Sequence, residues 1–383
     1  MARLGDFIEQ IRGVSYKPDD LHDTLNENSV ILLRANNIRD GKLNFDDVVY
    51  VDKKKVKDNQ YLKSGDILVC ASSGSKELVG KAAFVGKNLP MAFGAFCKVV
   101  RPQVNCPKYI GHFFDSPYYR KRISNASAGV NINNIRNEHI DEFEIQFPSL
   151  SCQKHIATVL DKVSDLIALR KQQLAKLDEL VKARFIEMFG DITDTVPLSY
   201  YITDLSAGKS LAGEEECPNK VLKTGAATYD YFDPTQVKNL PTDYEPLEDH
   251  RVKTGDVIIS RMNTAELVGA AAYVWEAPER TYLPDRLWRA EIKETVYPVF
   301  LWQVLIQSST KESIRRIASG TSGSMKNISK PGLLGIRVKK VPLVLQEQFA
   351  AFVEQTDKSK LTVQQSLYKL KTLKEALMQK YFG

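Results

Sequence analysis

The chain has 383 residues, 43% of them apolar and 26% charged, with a net charge of +6, which gives room for two domains with their own cores. No apolar run approaches the length of a membrane span and residues 1–6 lack the apolar core of a signal peptide, so a cytoplasmic protein is expected. Five cysteines, an odd number with no Cys-x-x-Cys pair, indicate neither a disulfide framework nor a zinc knuckle, and the modest positive charge permits nucleic-acid binding without arguing for it.

Residues 1–150 read as mixed and strand-rich. Runs 30–33, 48–51, 67–70, 82–85, 96–100 and 143–147 are short, apolar or alternating, and bounded by Gly, Asn, Asp and Pro, which predicts a curved sheet. Helices are expected near 4–11 and over 108–122, the second broken or kinked at Pro117. Two polar loops lie between these elements: one, leaving a strand, carries Ser72, Ser73, Ser75 and Lys76, and the other carries Asn131, Asn133, Asn134 and Arg136. Small residues let a backbone approach a ligand while Asn, Ser, Lys and Arg supply donors and acceptors. Such loops are also common as solvated turns.

Residues 151–190 read as one long helix. Ile156, Leu160, Val163, Ile167, Leu174, Leu177 and Val181 alternate four- and three-residue steps, with Arg170 and Arg184 interrupting the seam. That is a heptad pattern, and at about 1.5 Å per residue the helix would be nearly 60 Å long. It needs a partner, which the chain itself supplies. Residues 344–383 end in Tyr381-Phe382-Gly383 as the first helix ends in Met188-Phe189-Gly190, and Val363, Leu367, Leu370 and Leu377 continue a less regular seam.

The intervening segment, 191–343, repeats the first. Lys63-Ser64-Gly65-Asp66 is echoed by Lys253-Thr254-Gly255-Asp256, and Glu77-Leu78-Val79-Gly80 by Glu266-Leu267-Val268-Gly269. The chain reads as two copies of one unit, each about 150 mixed residues and about 40 helical ones. At the places of the polar loops stand Arg261, Asn263 and Thr264, then Thr321, Ser322, Ser324, Lys326 and Asn327. A retained frame with diverging loops points to one scaffold carrying two readers.

Enzyme signatures come near without closing. Gly208-Lys209-Ser210 imitates the tail of a phosphate loop, but Thr203 stands where the first glycine is required. Asp285 and Glu291 imitate a nuclease metal site that has no counterpart in the first copy. No Pro-Pro occurs, so the stretch with which DNA amino-methyltransferases hold a flipped base is missing, and the five histidines are scattered. No catalytic and no metal residue is assigned.

The Gly-Asp-Ile/Val strand start, the Glu-Leu-Val-Gly segment, the Gly…Asn-Ile loop and the Pro…Gln…Ile/Phe start of each helix, repeated twice in that order, resemble the specificity subunit of Type I restriction-modification systems. The resemblance implies a mixed α/β (α+β) fold with an internal two-fold repeat: target recognition domains over 1–150 and 191–343, and spacer helices over 151–190 and 344–383 forming an antiparallel coiled coil. It implies a sequence-specific DNA-binding role in which each domain reads half of a bipartite target on double-stranded DNA. The coiled coil would set the spacer and dock two modification (methyltransferase) subunits, with restriction (translocase/nuclease) subunits as further partners. The chain itself would be non-catalytic and hold no cofactor, S-adenosylmethionine, ATP and Mg being expected only in partner subunits. The reading from another class is a non-catalytic coiled-coil adaptor with two protein-binding domains.

Overall fold

Two sheets stacked face to face begin each half of the chain, and two 40-residue helices end them. The structure is a computed structural model and describes residues 1–75, 77–126, 133–320 and 325–383. It resolves into two compact units, one made of Met1–Gln172 with Gln364–Gly383, the other of Gln173–Val363. Each long helix, Leu150–Phe189 and Leu343–Phe382, therefore contributes to both units.

In the first unit, an antiparallel four-stranded sheet runs in the order Ala82–Phe84, Ile67–Cys70, Cys97–Pro102, Ile8–Arg12. Its inner strand Ile67–Cys70 is apolar at every position because both faces are covered. Ile67 and Val69 point to a core with Tyr109, Phe113 and Leu160, while Leu68 and Cys70 point to a second core with Leu33 and Phe93. The second sheet orders Met91–Phe93, Ser29–Leu33, Val49–Asp52 and Leu21–His22, its first pair parallel. In the second unit, the order is Ala271–Tyr273, Val257–Ser260, Leu287–Ile292, Ile202–Ser206. Val257 and Ile259 face the helix side with Phe300; Ile258 faces Leu222 and Ala272.

The echoed motifs are turns that hold these sheets. Gly65 and Gly255 have φ of 93° and 95°, and in each turn the aspartate that follows accepts a backbone N–H, from Lys63 at 2.7 Å and from Lys253 at 2.8 Å. Asp66 is buried and clasped by Arg101 at 2.7 and 2.9 Å. In the Glu-Leu-Val-Gly turns, Gly80 and Gly269 also have positive φ. A Cβ there would lie 2.6 Å from Ile123 Cγ2 and 2.3 Å from Ile314 Cγ2, so a helix side chain fills the space that only glycine leaves open. Arg120 in the first unit and Arg315 in the second donate to carbonyls of these turns.

Three expectations need correction. The six runs do not share one curved sheet: 67–70, 82–84 and 97–102 lie in the first sheet, 29–33 and 49–52 in the second, and Glu144–Ile145 forms a separate pair with Ala2–Arg3. The helix expected near 4–11 is a short 3-10 turn, Leu4–Phe7, followed by the strand Ile8–Arg12. That strand pairs along its length with Cys97–Pro102, and tertiary pairing overrides the local pattern. The run 96–100 starts one residue late, because Phe96 is 70% exposed at a turn. Pro117 does break the helix expected over 108–122, opening the second of two helices, Pro107–Phe114 and Pro117–Ala126.

Every seam residue expected on the long helices is buried or half-buried: Ile156, Leu160, Val163, Ile167, Leu174, Leu177, Val181, Val363, Leu367, Leu370 and Leu377. In the first unit, Ile156 and Leu160 share a core with Met378 and Phe382; in the second, Val181, Phe185 and Phe189 share one with Phe349 and Val353. Early residues of one helix thus meet late residues of the other, an antiparallel pairing. Polar positions mark the register: Arg170 Nε donates to Ser366 Oγ at 3.2 Å, and Lys360 pairs with Asp178 at 2.5 Å. The repeated Phe-Gly endings are anchors. Phe382 packs 5.2 Å from Tyr109, and Phe189 packs 5.6 Å from Phe300.

Candidate nucleic-acid interface

The polar loops that the sequence singles out lie more than fifty residues apart, yet in both units the fold joins them into one ribbon. In the first unit Ser72–Ser73 pairs antiparallel with Asn133–Asn134, with Asn134 opposite Ser72. In the second, Met262–Asn263 pairs with Lys326–Asn327, with Asn327 opposite Met262. Each ribbon is fixed at its base in the same way. Ile135 N–H donates to Ala71 O at 2.8 Å and Ile328 N–H to Arg261 O at 3.1 Å, while Ala71 and Arg261 donate to the carbonyls of Phe96 and Arg286 at 2.9 and 3.1 Å. The two isoleucines are buried, so each ribbon is rooted in a core and its polar residues lie at one end of the four-stranded sheet.

Around the first ribbon, Ser72 and Ser73 are half-buried, and Ser75, Asn134 and Arg136 are exposed. The backbone of Asn133 belongs to the ribbon; Lys76 and Asn131 lie outside the described residues. A cavity of about 380 Å³ is bordered by Tyr16, Arg34, Asn36, Ser72, Ser73 and Phe96, and one of about 450 Å³ by Gln10, Ser72, Phe96, Lys98, Asn134 and Asn137. Lys98 is buried and donates to Gln10 Oε1 at 2.9 Å and Asn137 Oδ1 at 2.8 Å. Burial pulls its amine down to about 8 against the opposing pull of Asp141 and Glu138.

Several candidates around the second ribbon are engaged inside the protein. Arg261 lies 5.5 Å over the Trp288 ring and donates to Asn327 Oδ1 at 3.4 Å. Asn263 donates to Thr228 Oγ1 at 3.3 Å and accepts from Thr264 N–H at 2.9 Å, and Lys326 donates to Gly320 O at 2.8 Å. Part of their polarity therefore holds the ribbon's shape. Thr321, Ser322 and Ser324 lie outside the described residues. A cavity of about 440 Å³ is bordered by Arg261, Trp288, Ser319, Asn327 and Lys330.

The two carboxylates that the sequence singles out as imitating a metal site have hydrogen-bond partners within the second unit. Asp285 is hydrogen-bonded with Ser210, and Glu291 accepts from Ser206 at 2.5 Å and Arg289 at 3.0 Å. No group of three His, Cys, Asp or Glu able to hold a metal occurs among the described residues. The five cysteines are unpaired, and no helix among the described residues is long and apolar enough to cross a membrane.

Residues 1–179 match the family described as Type I restriction modification DNA specificity domain. The Type I restriction enzyme EcoKI specificity subunit of Escherichia coli K12 is 29% identical over all of this chain and 88% of that subunit. The chain is similar to Type I specificity subunits. The StySPI specificity subunit of Salmonella potsdam is 41% identical over 45% of this chain and 37% of its own length. In fold, the chain matches the crystal structure of the Type I system S subunit from M. genitalium with a TM-score of 0.56, covering 100% of this chain and 95% of that one at 17% identity.

Three features around the ribbons escape a reading by polarity. Phe96 stands at the ribbon's base, and its signal was a polar counterpart in the repeat, Arg286. Lys98 is an apolar-strand position occupied by a cation. The tyrosines of the turn near Thr228 have no counterpart in the first copy.

Proposed function

We propose that this chain is the DNA-recognition component of a Type I restriction-modification complex, each unit reading one half of a bipartite target through its ribbon. The observation that carries the reading is the pairing of two distant polar loops into a rooted ribbon at the same sheet end of both units. The similarity to specificity subunits supports it. A two-stranded ribbon fits the major groove, where Asn pairs with adenine N6/N7 and Arg or Lys with guanine O6/N7, each good bidentate contact giving about 1–3 kcal/mol of discrimination. Phosphate contacts add a sequence-independent, salt-dependent part.

On this reading the antiparallel helices set the spacer between half-sites and dock two modification subunits, with restriction subunits joining them. The chain is non-catalytic and works in the cytoplasm; S-adenosylmethionine, ATP and Mg belong to the partners. The test is to express the chain with its modification subunit and map methylated positions across the host genome. A bipartite motif with an undefined middle is expected; a contiguous motif, or none, overturns the reading.

A further inference from the structure

The second unit carries an exposed aromatic pair beside its ribbon. Tyr229 and Tyr231 are 68% and 54% exposed, their rings nearly parallel at 18° with centroids 6.4 Å apart. Between them Asp230 holds the left-handed conformation, φ 63°, which costs a non-glycine residue free energy and persists only where its surroundings enforce it. Three neighbouring elements do so. The edge strand Ala271–Tyr273 donates its first N–H to the Asp230 carboxylate at 3.3 Å, the Trp302 indole donates to the Asp230 carbonyl at 3.2 Å, and Lys311 forms an ion pair with the carboxylate. The turn is tied to the ribbon as well, since Asn263 Nδ2 donates to Thr228 Oγ1 at 3.3 Å.

This places two exposed rings on a turn that is hydrogen-bonded to the residues proposed to enter the major groove. The groove floor offers one apolar group, the C5 methyl of thymine. Resting on the DNA-reading role proposed above, we infer that Tyr229 and Tyr231 form an apolar contact for a thymine methyl, making an A·T pair part of the second half-site. At the equivalent place the first unit has a tight hairpin turn between the paired strands Ile38–Arg39 and Lys42–Leu43, without the rings. Asp40, 190 positions earlier and also at positive φ, 50°, stands between Arg39 and Gly41. The methyl contact belongs to the second half-site alone.

The test uses the complex of this chain with its modification subunits and the duplex it selects from random sequence. Each thymine is replaced in turn by deoxyuridine, which removes only the methyl. At one position of the second half-site the wild-type complex should bind about four-fold more weakly, the effect of about one buried methyl. The Tyr229→Ala/Tyr231→Ala complex should bind the thymine duplex more weakly and be indifferent to that methyl, while Tyr229→Phe/Tyr231→Phe should behave as wild type. The inference is overturned by a wild type indifferent at every thymine, by an alanine variant as sensitive as wild type, or by a second half-site of G·C pairs only. Failure of the wild-type complex to select any bipartite motif sinks the underlying reading instead, and it is seen before any tyrosine is changed.

Discussion

Lys98 is a cation at the floor of a cleft with neutral amide oxygens as its hydrogen-bond partners. Its amine sits near 8 in the fold because burial disfavours the charge, against about 10.4 in an unfolded chain. Below pH 8 the amine is charged in both states and the burial penalty is felt in full. Between 8 and 10.4 the unfolded chain keeps a proton that the fold has lost, so stability rises with pH through that window. A Lys98→Met variant, which cannot titrate there, should therefore lose ground to the wild type by about 1–3 kcal/mol on going from pH 7.5 to 10.5. Melting temperatures of the two proteins across that range decide it, and a constant difference would show that the amine is not depressed.

At the scale of elements, the Glu-Leu-Val-Gly turn makes a sharper test of packing than any strand. Gly269→Ala adds a Cβ 2.3 Å from Ile314 Cγ2 at φ 79°, whereas Gly255→Ala, at φ 95°, meets nothing within 4 Å. Both variants suffer the backbone strain, of order 1–3 kcal/mol, but only the first collides. Gly269→Ala should melt several degrees below Gly255→Ala, at roughly 2–4 °C per kcal/mol for a unit of this size, and Ile314→Val should return part of the loss. Equal melting would mean that the helix gives way freely. The long helices were legible in the sequence because a heptad seam needs only local spacing, and their burial pattern follows it. The ribbons were half legible: polarity and repeat position marked the loops, but two-residue strands carry no periodicity, and their partners lie some sixty residues away. The first strand, Ile8–Arg12, was misread because its identity comes from pairing with Cys97–Pro102. The tyrosine pair and Lys98 were missed for a similar reason, since exposure and burial at those positions are set by distant elements.

At the scale of the whole chain, both helices are shared by both units, and the contacts Arg170–Ser366 and Asp178–Lys360 place Leu174 opposite Val363. Seven residues of heptad sequence inserted after Leu174 and after Val363 together would add about 10.5 Å of helix, close to three base pairs at about 3.4 Å each. If the helices set the spacer, the methylated motif should gain about three undefined positions with both half-sites unchanged. An altered half-site, or an unaltered spacer, would refute that role. The sharing of helices also reverses the usual order of assembly during synthesis. The stretch Gln173–Val363 is continuous, so the second unit has all its parts once Val363 is made. The first waits for Met378 and Phe382 to close the core around Tyr109 and Phe113, and at about 5–20 residues per second that wait lasts roughly 10–40 s. The half that leaves the ribosome first is the half that is completed last.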